Sequence, residues 1–143
     1  MKRRTTPSTA LLAIAILLAL VAAPCATAAP NTFTLSGRIL NSSGENPVYV
    51  ALWNQDSFLK TPVKQLRIAP GTEPQFVFQI PPGRYAISAF EDKNGNGTLD
   101  MGLFGPKEPS AFWPAFNGWH KPRFEEVYFT VNADIPHADI TLK

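Results

Sequence analysis

Cysteine is almost missing from this chain of 143 residues: there is one, Cys25, against 14 prolines and 10 phenylalanines. A single thiol excludes an intramolecular disulfide framework and any zinc site built on paired cysteines. Histidine is nearly as scarce. His120 and His137 are the only two, and they do not sit at a metal-ligand spacing on one element. Also missing are a G-x-S-x-G nucleophile elbow, a phosphate-cradling glycine loop opening a helix, and a cysteine nucleophile beside a histidine. The adjacent acids Glu91 with Asp92 and Glu125 with Glu126 lie on segments read as extended, where neighbours point to opposite faces and cannot converge for acid–base work. The expectation is a protein that is not an enzyme. A hydrolase built on either histidine beside an acid remains a third alternative.

Charge is also sparse, at 17% of residues. The chain starts with Lys2, Arg3 and Arg4, continues with an apolar run from Leu11 to Ala23, and reaches the small residues Ala26-Thr27-Ala28. That order describes a cleavable signal peptide over residues 1–28, with the mature chain starting at Ala29 and the protein periplasmic or secreted. The apolar run falls short of the ~20 residues that cross a bilayer, so no transmembrane span is expected in the mature form. Pro24 directly before Cys25 is a poor match to a lipidation site, which leaves lipidation as a minor alternative. Removing three bases and no acid takes the formal charge from +2 to about −1. A near-neutral domain has no concentrated basic face, so no nucleic-acid partner is expected.

Residues 29–143 are the size of one domain. Apolar residues alternate through most of it: Phe33, Leu35 and Ile39; Val48, Val50 and Leu52; Leu66 and Ile68; Phe76, Phe78 and Ile80; Tyr85, Ile87 and Ala89; Val127, Phe129 and Val131; Ala138, Ile140 and Leu142. A period of two means strands with one buried face. Asn41-Ser42-Ser43-Gly44, Ala69-Pro70-Gly71-Thr72, Pro81-Pro82-Gly83 and Asn132-Ala133-Asp134 separate the runs with turn chemistry. The reading is all-β: a single antiparallel Greek-key β-sandwich of about seven strands, with one turn of helix available at Gln55 to Leu59.

Met101 to Arg123 breaks this rhythm. It holds Pro106, Pro109, Pro114 and Pro122, and among them Leu103, Phe104, Phe112, Trp113, Phe116 and Trp119. So many large apolar groups argue for an ordered loop. Two roles suit it: a recognition surface on Phe112, Trp113, Phe116 and Trp119 for an envelope protein, glycan or lipid, or a cap that completes the core.

Before that loop comes Asp92-Lys93-Asn94-Gly95-Asn96-Gly97-Thr98-Leu99-Asp100. Oxygen-bearing side chains at alternate positions with glycine sixth match the D-x-[DN]-x-[DN]-G calcium pattern, giving Asp92, Asn94, Asn96, Thr98 (through its carbonyl) and Asp100 as ligands. Position 12, where a helix-loop-helix site needs glutamate, is Leu103, and the loop is entered from a strand, so this is no EF-hand. Glu91, Glu108 or water would complete the shell, with a dissociation constant of ~10⁻⁴ to 10⁻³ M. The competing account is a plain hairpin turn, since Asn94-Gly95 and Asn96-Gly97 both favour positive φ.

The stretch Gly83-Arg84-Tyr85-Ala86-Ile87-Ser88-Ala89-Phe90-Glu91-Asp92-Lys93-Asn94-Gly95-Asn96-Gly97-Thr98-Leu99-Asp100, followed by Gly105-Pro106-Lys107-Glu108, resembles the exported bacterial proteins grouped as domain of unknown function family 2141. The resemblance implies a signal peptide and a small envelope β-sandwich akin to transthyretin-like or carboxypeptidase-regulatory domains, with no activity to carry over. Two positions depart from that family: Glu91 stands where it commonly has histidine, and Pro109-Ser110-Ala111-Phe112-Trp113 replaces its Gly-Phe-Ser-like run.

Overall fold

The computed structural model describes residues 31–143; the expected signal peptide lies outside them. They are mostly strand, in several sheets of which none closes into a barrel. The seven alternating runs each supply a strand: β1 (Phe33–Leu40), β2 (Val48–Trp53), β3 (Lys64–Ile68), β4 (Gln75–Ile80), β5 (Gly83–Glu91), β9 (Phe129–Val131) and β10 (Ile140–Thr141). Three of the four turn sequences fall wholly between strands, and Pro81-Pro82-Gly83 runs into the first residue of β5. Three further short strands come from the segment read as one loop: β6 (Met101–Gly102), β7 (Gly105–Pro106) and β8 (Ser110–Trp113). Single-turn helix α1 (Phe124–Val127) takes up Val127, while Gln55 to Leu59 forms turns closed by Asn54 and Ser57 rather than a helix.

One sheet has the order β10-β1-β4; the other runs β3-β2-β5-β8, with β9 on the opening residues of β5. The chain changes sheet at β1 to β2, β3 to β4, β4 to β5 and β9 to β10. All strand pairs are antiparallel except β1 with β10, which is parallel because the chain crosses over from β9 before rejoining β1.

Alternation decides what is buried. Phe76, Phe78 and Ile80 of β4, Leu35 and Ile39 of β1, and Ile140 of β10 share one apolar cluster with Val48, Val50 and Leu52 of β2, Ile87 and Ala89 of β5, and Phe129 and Val131 of β9. Each sheet thus buries one face against the other's residues, the solution that half-apolar strands demand. The opposite face of β5 carries Ala86, which packs with Phe124 and Val127 of α1 and with Trp53, Phe58, Phe112 and Phe116. Arg84 lies 3.8 Å from the Tyr128 ring centre, a cation–π contact that fastens the residue after α1 onto β5. Among the described residues no helix is long and apolar enough to cross a membrane.

Candidate functional site

At the end of β5, alternation sends two consecutive acids in different directions, and both are buried. Glu91 turns to the β1–β2 connection, where its carboxylate accepts the Ser43 N–H at 3.0 Å, the Ser43 hydroxyl, and the Asn46 amide at 3.0 Å. Burial works to raise its pKa, but the bonds from Ser43 and Asn46, with Lys93 nearby, outweigh it and hold the carboxyl below its ordinary 4.5. A depressed folded-state pKa contributes stability that is fully present above the unfolded value and lost as pH falls through the folded one. Glu91→Gln should therefore lower stability at pH 7 and flatten its decline below pH 4.5, as read from urea unfolding across pH 2–7. An unchanged acid limb would remove Glu91 from the acid response.

Asp92, 1% exposed, turns the other way and sits beneath the loop it begins. Its Oδ1 accepts the N–H groups of Gly95 at 2.8 Å and Asn96 at 3.2 Å, and its Oδ2 that of Gly97 at 2.8 Å. Gly95 and Gly97 have φ of 75° and 76°, which aims these successive N–H groups at one carboxylate. Above them the Asn94 and Asn96 side-chain amides both donate to Asp100, while the Thr98 hydroxyl and N–H donate to Asn96 Oδ1. The structure thus brings together all five residues of the calcium reading. The side-chain oxygens of Asp92, Asn94, Asn96 and Asp100 engage the loop's own donors, and among the described residues no group of three His, Cys, Asp or Glu side chains is placed to hold an ion.

Glu108 completes the arrangement. The β6–β7 hairpin reverses the chain at Leu103-Phe104, and Lys107 N–H donates to the Asp100 carbonyl at 2.8 Å. The Glu108 carboxylate then reaches the Lys93 N–H at 2.8 Å and the Asp100 N–H at 3.3 Å. Two buried acids therefore hold the loop by charge-assisted bonds, Asp92 its middle and Glu108 its two ends. Glu108 is the residue named in advance that does fold back; Glu91 is committed to Ser43 and Asn46 instead.

The four aromatic candidates do not form one surface. Phe112 and Trp113 belong to β8 and, by alternation, face opposite sides: Phe112 meets Phe58, and Trp113 lies edge-on to Phe129 at 5.0 Å. Phe116 packs on the outer cluster, and only Trp119 is fully exposed. Leu103 and Phe104, counted among the apolar groups of the segment but not among the four recognition candidates, are 91% and 99% exposed at the hairpin tip. The signal for them was Gly102 and Gly105-Pro106, whose turn chemistry predicts a tip between them.

His120 Nε2 lies 3.6 Å from Glu126 Oε1 on the surface, while Nδ1 faces the Lys121 carbonyl. Glu126 also accepts the Arg123 N–H and guanidinium, which keep its carboxyl below the ordinary range. It sits on α1, so Glu125 and Glu126 are on a helical turn and not on a strand.

Comparison with known proteins yields one relationship. A family model described as "Uncharacterized protein conserved in bacteria (DUF2141)" matches residues 39–137, from the end of β1 past β9 and through the whole carboxylate-gripped loop. No curated protein and no solved structure matches the chain.

Proposed function

The chain belongs to DUF2141, a family of uncharacterised bacterial proteins, and from that premise we propose a non-catalytic exported envelope domain that binds a protein, glycan or lipid partner through the 101–123 segment. The observation that carries this reading is the contrast within one stretch of chain. Its acids are buried in holding the backbone, while Leu103, Phe104 and Trp119 stand in solvent. Exposing such side chains is unfavourable unless something covers them, and a hairpin held at its base presents Leu103 and Phe104 at little entropic cost.

The two main sheets, sharing one apolar cluster, are read as the halves of a Greek-key β-sandwich of the transthyretin-like or carboxypeptidase-regulatory kind. Calcium is assigned to the 92–100 loop on its D-x-N-x-N-G spacing. Export rests on the tripartite start, and intact-mass measurement of the exported protein should give an N-terminus at Ala29. A lipidated Cys25 or a retained Met1 would overturn that step.

The binding role is tested by separating exposed from packed aromatics. Trp119→Ala, and Leu103→Ser with Phe104→Ser, should change stability by less than ~0.5 kcal/mol each, as surface substitutions do. Trp113→Ala should cost ~2 kcal/mol, because it leaves a hole against Phe129. Loss of a co-purifying partner in the exposed set, with melting unchanged, supports recognition. Retention of that partner in all of them favours a purely structural module with a plain hairpin turn at 92–100. A hydrolase on His120 and Glu126 would need a nucleophile; among the described residues neither side chain is hydrogen-bonded to a serine or threonine.

A further inference from the structure

A sheet edge is a row of unpaired N–H and C=O groups, and proteins that stay apart blunt their edges with charge, proline, short length or a covering segment. Of the four strands that end the two main sheet paths, three are blunted, and β9, off the path, is only three residues long. β3 carries Lys64 and Arg67; β10 is two residues long; β8 is four residues long and has its Ser110 N–H taken by the Lys143 carbonyl. The fourth is β4, Gln75–Ile80, with the sequence Gln-Phe-Val-Phe-Gln-Ile. It has no charge, no proline and no bulge, and its register against β1 is unbroken over six residues.

The hydrogen-bond directions show which groups lie free. In β1 the N–H groups of Thr34, Ser36 and Arg38 go to Asp134, Ile135 and Asp139, away from β4. Leu35 and Gly37 therefore face β4 and bond Phe78 and Phe76, their register partners. This leaves the backbone groups of Val77 and Gln79 directed outward, and among the described residues nothing pairs with them. The Val77 side chain is also 62% exposed.

We infer that β4 is a self-association edge that pairs antiparallel with β4 of a second copy about a twofold axis through Val77. That register sets Val77 opposite Val77, Gln75 opposite Gln79, and Phe76 opposite Phe78. Each pair lies on one face of the sheet, so the core faces of the two copies continue into one another. It also aligns Val77 with Val77 as a hydrogen-bonded pair and sets the Gln79 N–H against the Gln75 carbonyl, while the Gln75 N–H stays on the Glu73 carbonyl. Like meets like with no charge to repel, which a partner strand of arbitrary sequence would not guarantee. The pairing closes, since each copy spends its β4 edge and the charged β3 edge resists further addition. A contact of one strand pair lies at the small end of interface sizes, so the dimer is concentration-dependent.

Sedimentation equilibrium of the purified protein should show reversible monomer–dimer exchange. Val77→Lys, at an exposed position, places two ammonium groups at the axis and should weaken the dimer roughly tenfold or more with an unchanged circular dichroism spectrum. Val77→Thr should leave it intact. In a Cys25→Ser background, Val77→Cys should form a disulfide-linked dimer on oxidation, because a hydrogen-bonded antiparallel pair holds its Cα atoms about 5.5 Å apart. Arg67→Cys on β3 should not. A wild-type protein that stays monomeric at its highest soluble concentration overturns the inference, as does a Val77→Lys dimer as tight as wild type. Cross-linking at Arg67→Cys that matches Val77→Cys would do the same.

Discussion

Asp92→Ala is expected to destabilise the protein by about 3 kcal/mol, with a melting midpoint lower by roughly 10 °C. The carboxylate it removes is buried and accepts three backbone N–H groups from Gly95, Asn96 and Gly97. Bonds to a charged acceptor contribute more than neutral ones, and donors left buried without a partner bear the full desolvation cost. The loss stays below the sum of three such bonds because Gly95 and Asn96 are exposed and their N–H groups can turn to water. Asp92→Asn should be milder, since one carbonyl oxygen remains where Oδ1 or Oδ2 was. Glu108→Gln should be milder again, because it serves two N–H groups and one of those bonds is long at 3.3 Å. Urea unfolding in the presence of a chelator measures all three, and an Asp92→Ala variant as stable as wild type would refute the clamp. The same variants decide the metal reading. If the loop takes calcium, wild type gains about 2.7 kcal/mol once free ion exceeds the dissociation constant a hundredfold, and Asp92→Ala gains nothing. Wild type unmoved by millimolar calcium leaves a hydrogen-bonded turn and no ion site.

Gly37→Ala should cost about 3 kcal/mol or more from a single added methyl. A Cβ at this position would lie 2.3 Å from the Ala138 carbonyl oxygen, 2.5 Å from its carbon and 3.0 Å from Phe76 Cζ. Backbone cannot retreat cheaply here. Ala138 N–H donates to the Ser36 carbonyl at 3.0 Å and Arg38 N–H to Asp139 at 2.8 Å, so the segment is tied to β1 on both sides of the clash. Phe76 is buried in the cluster shared by both sheets and has no room to shift. Gly118 is the control: its Cβ would meet Phe116 Cζ at the same 2.3 Å, but that atom ends a partly buried side chain on a surface segment. Gly118→Ala should cost less than ~1 kcal/mol. Equal losses at the two sites, compared by thermal unfolding, would contradict the assignment of Gly37 to a backbone crossing.

Local order was legible from the residues themselves. A strand buried on one face must alternate, so Phe76, Phe78 and Ile80 declare both the element and its buried side without any knowledge of what they touch. The turn sequences stopped those strands where expected, and the spacing from Asp92 to Asp100 marked a loop closed by its own side chains, because such closure is a matter of a few adjacent backbone angles. Tertiary structure decided everything that needs a partner far along the chain. The Ser43 bonds to Glu91 span 48 residues, and the parallel pairing of Ile39 with Ile140 joins nearly the two ends of the domain. Within 101–123 the prolines and aromatics carry no period, so composition could not tell that Ser110–Trp113 would join β5 as a strand, burying Phe112 and Trp113 partly on opposite faces. Nor could it tell that Leu103, Phe104 and Trp119 would be left in water. Apolar character fixes how much a side chain gains from burial; whether it is buried depends on which sheet edge lies within reach, and that is set by the assembled fold.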